Sequence, residues 1–227
     1  MCIRDRSKPA LVIFDLDNTI LNGDSDYAMI NYLVHTQALD DSAGKKNQIF
    51  IEDYQRGELD FDAYTIFALS AYIGMTRSEI NEYMLPFIAK VIEPMINTLA
   101  LKIIHDHGDR GDAILLASAT NELIVRPIAE RLDIQNVIGT QVKFNDGKCT
   151  GEYIPPSALG AGKLKLVNQW MHDNGYEDFK DVTFYSDSIN DLPLLEAVDF
   201  PKAVNPDAML KKISLERGWE IIDLPIL

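Results

Sequence analysis

The sequence predicts an α/β fold: an open parallel sheet with helices on both faces, and a helical cap inserted after the first strand. Three observations predict it. Ala10-Leu11-Val12-Ile13-Phe14, Ala113-Ile114-Leu115-Leu116-Ala117 and Val182-Thr183-Phe184-Tyr185 are short, nearly continuous apolar runs, the pattern of strands buried on both faces. Each run ends in small polar or acidic residues followed by a turn or a helical pattern. The first run ends at Asp15 and the second begins only at Ala113, far beyond an ordinary crossover, and the sequence between them is helical in pattern. Together these describe a Rossmann-like sheet interrupted by a helical insertion.

Taken in order, the first strand leads into Asp15-Leu16-Asp17-Asn18-Thr19. Asp24-Ser25-Asp26 caps a helix beginning near Tyr27, residues 62–72 repeat apolar side chains every three or four positions, and Thr76-Arg77-Ser78-Glu79 is a capping box. Tyr54-Gln55-Arg56 has the character of a helix end. Ten of the eighteen Phe and Tyr residues fall in this segment, chiefly as its own small core, with one or two available to stack on a substrate ring. The cap is assigned to residues 22–93 and the catalytic core to 8–21 and 94–227, with hinges near Leu21–Gly23 and Ile92–Pro94. His105-Asp106-His107-Gly108 fits a helix C-terminus better than a ligand pair. Beyond the second run, residues 121–132 predict a helix, Asn145-Asp146-Gly147 a hairpin turn, residues 164–174 a helix with Lys163 at its start, and Pro201-Lys202-Ala203-Val204 a closing strand.

The chemistry is carried by the strand ends, where ligands bind in open α/β sheets. Asp15 and Asp17 stand at i and i+2. Neighbouring buried carboxylates repel unless a cation neutralises them, which points to Mg²⁺. With phosphate held there, Asp15 is placed to attack phosphorus and Asp17 to move protons. The alternative is an acidic strand-to-loop turn with an N-cap. Ser118-Ala119-Thr120-Asn121 offers a hydroxyl and backbone N–H groups for phosphate oxygens. Gly160-Ala161-Gly162-Lys163 offers an ammonium, although it lacks the spacing of a Walker motif. Ser186-Asp187-Ser188-Ile189-Asn190-Asp191 supplies a second carboxylate pair, at i and i+4.

These four clusters, in this order, resemble the motifs of the haloacid-dehalogenase-like hydrolases, and within them the phosphoserine-phosphatase-like subfamily with a helical cap. The resemblance spans about residues 10–223 and is carried by Asp15, Asp17, Thr19, Ser118, Lys163, Asp187, Asn190 and Asp191. It implies a phosphomonoesterase working through an aspartyl phosphate on Asp15, with Asp17 as general acid/base. It also implies Mg²⁺ held by Asp15, the Asp17 backbone carbonyl and Asp187, with Asp191 acting through water or orienting Lys163. Ser118, Lys163 and Asn190 would hold the phosphoryl group. Ser186 replaces a glycine that commonly precedes the second acidic pair. Asp17 argues against the metal-free dehalogenase chemistry of the superfamily, which lacks a second acid.

Bulk properties narrow the partners. The 227 residues are 47% hydrophobic and 25% charged, ordinary for a globular chain, and the net charge of −14 disfavours nucleic acid and anionic membranes. An anionic ester must therefore be drawn in by a local cationic site. Two cysteines, Cys2 and Cys149, suit a reducing cytoplasm better than a disulfide scaffold or zinc site. Met1-Cys2-Ile3-Arg4-Asp5-Arg6-Ser7 has no signal-peptide core and resembles translated adapter sequence, so it is set aside.

The substrate expected is a small phosphorylated metabolite bearing an amine. The cap contains twelve acids against five bases, and only Arg56 and Arg77 as arginines to hold a substrate carboxylate. Asp24 stands where phosphoserine phosphatases place an acid for the substrate amine, with Asp26 beside it. This favours L-histidinol phosphate, consistent with a resemblance to a histidinol-phosphatase branch of the subfamily, over O-phosphoserine. A phosphotransferase or mutase would share the aspartyl phosphate but exclude water. A non-catalytic binding protein would normally have lost one of the four motifs.

Overall fold

The computed structural model describes residues 8–225, so the adapter-like segment 1–7 and Cys2 lie outside the described residues. Strand β1 (Leu11–Phe14) is followed by α1 (Ser25–His35), α2 (Asp41–Arg56), α3 (Phe61–Ser70) and α4 (Arg77–Phe87). A π-helical turn at Ile88–Ile92, α5 (Glu93–Met95) and α6 (Thr98–Asp109) then lead to β2 (Ala113–Asn121). There follow α7 (Glu122–Arg131), β3 (Asn136–Thr140), the strands β4 (Val142–Asn145) and β5 (Lys148–Tyr153), and α8 (Ala161–Asp173). The chain finishes through β6 (Val182–Ser186), a 3₁₀ turn at Ile189–Asp191, α9 (Leu192–Ala197), β7 (Phe200–Val204), α10 (Ala208–Arg217) and β8 (Glu220–Ile222).

Six strands form one parallel sheet in the order β3-β2-β1-β6-β7-β8. Chain order reverses between β1 and β6, and a crevice opens at such a switch point beyond the strand C-termini. The unbroken hydrophobicity of β1 follows from its two covered faces. Val12 and Phe14 pack with Ile104 of α6 and with Ile124 and Ile128 of α7, whereas Leu11 and Ile13 pack with Val167, Leu194 and Leu210 of α8, α9 and α10. Each such side chain, fully buried, contributes about 1.5–3 kcal/mol, so the acids that follow β1 sit on a stiff support.

Capping sets the inserted helices. Asp24, Asp40 and Asp60 each accept a backbone N–H at the start of α1, α2 and α3, and Thr76 and Glu79 make both bonds of the expected capping box on α4. The expected hairpin is present as antiparallel β4 and β5, and it also touches the insertion through backbone bonds between Cys149 and both Gly74 and Met75. The two passages between sheet and insertion run side by side. Leu21 bridges Ile96, the Asn22 N–H donates to Met95 O at 2.7 Å, and the Asn97 N–H donates to Ile20 O at 2.9 Å.

Three details differ from the sequence expectation. β7 does not close the sheet, because β8 pairs beyond it; a three-residue strand is too short to leave a pattern. β3, which contains Gly139, also lacks an apolar run. The whole of α2 is a helix although only its end was legible, since Gly44-Lys45-Lys46-Asn47-Gln48 breaks the apolar repeat.

Candidate active site

β1 and β6 deliver their acids to one cavity at the switch point. Asp15 follows β1 directly, its N–H donating to Tyr185 O at 2.9 Å. Asn18 turns the chain back in the left-handed region at φ 55°, a conformation that asparagine tolerates better than most side chains. The cavity, of about 170 Å³, is lined on the sheet side by Asp15, Asp17, Ser118, Thr120, Lys163, Asp187, Asn190 and Asp191. All eight residues that carried the motif resemblance lie here except Thr19, whose hydroxyl stands behind and donates to Asp187 Oδ1 at 3.3 Å.

Lys163 is the positive centre of this floor. Its side chain is 2% exposed, and Nζ donates to Asp15 Oδ1 at 2.8 Å and Asp191 Oδ2 at 2.7 Å. Burial alone would lower its pKa, but the two carboxylates outweigh burial and hold the ammonium above its ordinary range. Asp191 also accepts from Ser186 Oγ at 2.7 Å, so the serine in place of glycine has its own partner. Both bonds hold Asp191 against Lys163 at the cavity floor. Asp15 is buried, and desolvation pushes it up to about 7 against the opposing pull of Lys163.

Asp17 is anchored from three sides. The Ser25 N–H donates to Oδ1 at 2.6 Å, Thr120 Oγ1 to Oδ2 at 2.8 Å and Ser118 Oγ to Oδ2 at 3.5 Å. Desolvation, with Asp24 nearby, pushes it up to about 6. Thr120 was not singled out in the sequence although strand alternation puts it on the same face of β2 as Ser118; the acceptor the two share, Asp17, comes from another strand end and left no local signal.

The insertion closes the cavity from above with Asp24, Asp26, Tyr27, Asn47, Phe50, Ile51, Tyr54, Phe61 and Tyr64. Asp24 both caps α1, accepting from Tyr27 N at 2.7 Å, and lines the cavity. Asp26 is buried and accepts from Asn121 Nδ2 at 2.8 Å. The two arginines lie elsewhere: Arg56 pairs with Asp53 and Glu58, and Arg77 with Glu122. Lys163 is thus the one base among the described cavity residues. Tyr54 of α2 reaches the sheet side, its hydroxyl 3.4 Å from Ser188 Oγ.

Among the described residues, no three His, Cys, Asp or Glu side chains are grouped as a metal site on their own. The donor set nonetheless fits Mg²⁺, which binds through one or two carboxylates and keeps several waters. Asp187 is raised well above the usual carboxylate range by desolvation and then by Asp15 and Asp191, the penalty that a cation at this floor would relieve.

Comparison with known proteins agrees with this arrangement. The family model described as haloacid dehalogenase-like hydrolase matches residues 12–196. A histidinol-phosphatase of Neisseria meningitidis serogroup C (strain 8013) is 41% identical over 217 residues, covering 94% of this chain and 98% of the relative. A crystal structure of a protein with unknown function from Bordetella pertussis Tohama I superposes with a TM-score of 0.89 at 35% identity, covering 96% of this chain and all of that one. A substrate-bound phosphoserine phosphatase superposes with a TM-score of 0.69 over 96% of this chain and 94% of its own; at 16% identity it attests the fold alone. Strand-end acids, a buried lysine between them and a match over most of the sequence lead to one conclusion: the chain belongs to the haloacid dehalogenase-like hydrolase family.

Proposed function

We propose that this chain is a Mg²⁺-dependent phosphomonoesterase that hydrolyses L-histidinol phosphate through an aspartyl phosphate on Asp15. The observation that carries the chemistry is Asp15 itself, fixed at a strand end beside Lys163 at 2.8 Å and open to the cavity. Full-length similarity to the Neisseria histidinol-phosphatase supports the substrate. So does the cavity wall, which offers Asp24 and Asp26 to an amine and no arginine to a carboxylate. That last point weighs against O-phosphoserine.

In this reading an Asp15 carboxylate oxygen bonds to phosphorus as the ester P–O bond breaks, and Asp17 gives its proton to the departing alcohol oxygen. Water then attacks phosphorus as the bond from Asp15 to phosphorus breaks, Asp17 takes the proton of that water, and inorganic phosphate leaves with Asp15 restored as a carboxylate. Burial raises the Asp17 carboxyl toward neutrality, which suits a group that gives a proton and then takes one. Ser118, Lys163 and Asn190 hold the phosphoryl oxygens. Mg²⁺, held by the Asp15 and Asp187 carboxylates and the Asp17 carbonyl, would supply further positive charge to those oxygens. The inserted helices act as the cap that shuts out bulk water.

The test is phosphate release from L-histidinol phosphate, O-phosphoserine and p-nitrophenyl phosphate as Mg²⁺ is titrated. Histidinol phosphate is expected to have the highest kcat/KM, with activity lost on chelation. Asp17→Asn should leave the Mg²⁺ half-saturation point nearly unchanged while turnover falls at least about a hundredfold, the scale of general acid–base catalysis. Asp187→Ala should first raise the Mg²⁺ requirement. The reverse pattern would mean that the two roles are exchanged.

Asp26 gives a second expectation. Burial, then Asp24 and Asp17, hold its carboxyl well above the usual range. A carboxyl that binds its proton more tightly folded than unfolded costs stability as pH rises from the unfolded value through the folded one. Asp26→Asn removes that cost and keeps an acceptor for Asn121. Its Tm should exceed the wild-type value at pH 8, with the gain shrinking toward pH 4, while KM for histidinol phosphate rises about tenfold. A lower Tm with unchanged KM would make Asp26 a structural acceptor only.

A further inference from the structure

Asn47 stands apart from every motif in the sequence. It is fully buried, it lines the cavity, and its amide is half satisfied. Nδ2 donates to the Tyr27 backbone carbonyl at 3.0 Å and to Asn31 Oδ1 at 3.3 Å. A carbonyl oxygen only accepts, so the Tyr27 contact fixes which end of the amide is nitrogen. That leaves Oδ1 buried without a partner. Buried polar atoms are rarely left so, since an unmade bond costs about 1–3 kcal/mol.

The surroundings define what would complete it. Asn47, Phe50, Ile51 and Tyr54 stand at i, i+3, i+4 and i+7 of α2, and all four line the cavity, so they share one helical face. That face sets Asn47 beside aromatic rings at the cavity wall. Asp24 and Asp26, which come just before Tyr27 in the chain, line the same cavity and carry acceptor oxygens.

We infer that Asn47 is a specificity-determining residue whose amide oxygen accepts an N–H from a flat ring on the leaving group, while Asp24 and Asp26 take the amine. The leaving groups selected are therefore amino alcohols carrying a nitrogen heterocycle with a free N–H. This rests on the proposed phosphomonoesterase reading and adds to it an individual contact on α2.

The experiment compares L-histidinol phosphate with L-phenylalaninol phosphate, which keeps the amine and a flat ring but has no ring N–H. Wild-type enzyme should prefer histidinol phosphate by about tenfold to a hundredfold in kcat/KM, the scale of a hydrogen bond whose loss strands a buried partner. Asn47→Leu, similar in size and without the acceptor, should bring that ratio close to one, chiefly by raising KM for histidinol phosphate. Equal wild-type rates on the two compounds would overturn the inference without any variant, so it stays open to refutation even if Asn47→Leu fails to fold. So would an Asn47→Leu ratio unchanged from wild type, since a merely structural residue would slow both substrates alike. Failure of the underlying reading looks different: wild-type enzyme would then release no phosphate from either compound or from p-nitrophenyl phosphate.

Discussion

Asp15→Asn is expected to reduce turnover of L-histidinol phosphate by at least about a thousandfold, because an amide cannot form the acyl phosphate that the first step requires. The protein should remain folded. The substitution removes one of several crowded carboxylates and keeps an oxygen to accept from Lys163 Nζ, now 2.8 Å from Asp15 Oδ1. Steady-state rates with Mg²⁺ at saturation, alongside a melting curve, check both halves. A loss of less than about tenfold is under 1.4 kcal/mol of barrier and would exclude Asp15 as the attacking group.

Lys163→Met should damage both the fold and the chemistry. The ammonium lies between Asp15 and Asp191, all three groups being nearly inaccessible to water. Removing one partner of a buried charge cluster while leaving the others costs about 3–5 kcal/mol. For a chain of this size, each kcal/mol corresponds to roughly 2–4 °C in Tm, so a fall of roughly 6–20 °C is expected. Turnover should fall at least about a hundredfold through the lost phosphoryl contact. Added Mg²⁺ should recover part of the melting temperature, since a cation at the same floor replaces some of the missing charge. A variant as stable as wild type would show that the carboxylates tolerate one another without Lys163.

The floor of the cavity was legible because strand ends in a parallel sheet are announced by composition. A buried run such as Leu11–Phe14 has no polar side chains until it emerges, so the first acids after it mark the crevice. The same logic exposed Ser118 near the end of β2 and Asp187 after β6, and the parallel registers of β1 with β2 and β6 bring the three together. The roof was much less legible. Asn47 and Tyr54 reach the cavity only because α2 folds as one helix against α1, which the polar segment around Gly44 conceals. Asp24 was legible as a cap and as a cavity acid, and it occupies both positions because the first turn of α1 opens on the site. Asp26 was legible in part. It was read with Asp24 as an acid for the substrate amine and it does line the cavity, but its buried bond from Asn121 Nδ2 left no trace in the local sequence. Partners distant in sequence, such as Asn121 for Asp26 and Thr120 for Asp17, depend on tertiary packing that no local pattern encodes.

The central claim is that Asp15 carries the phosphoryl group during turnover. Single-turnover reactions with ³²P-labelled L-histidinol phosphate, quenched in cold acid on the millisecond scale, test it directly after tryptic digestion. The account predicts transient label on the peptide containing Asp15, released by hydroxylamine as an acyl phosphate should be, and absent from Asp15→Asn. Label on a peptide lacking Asp15, or turnover that completes with no protein-bound phosphate at any time point, would contradict it.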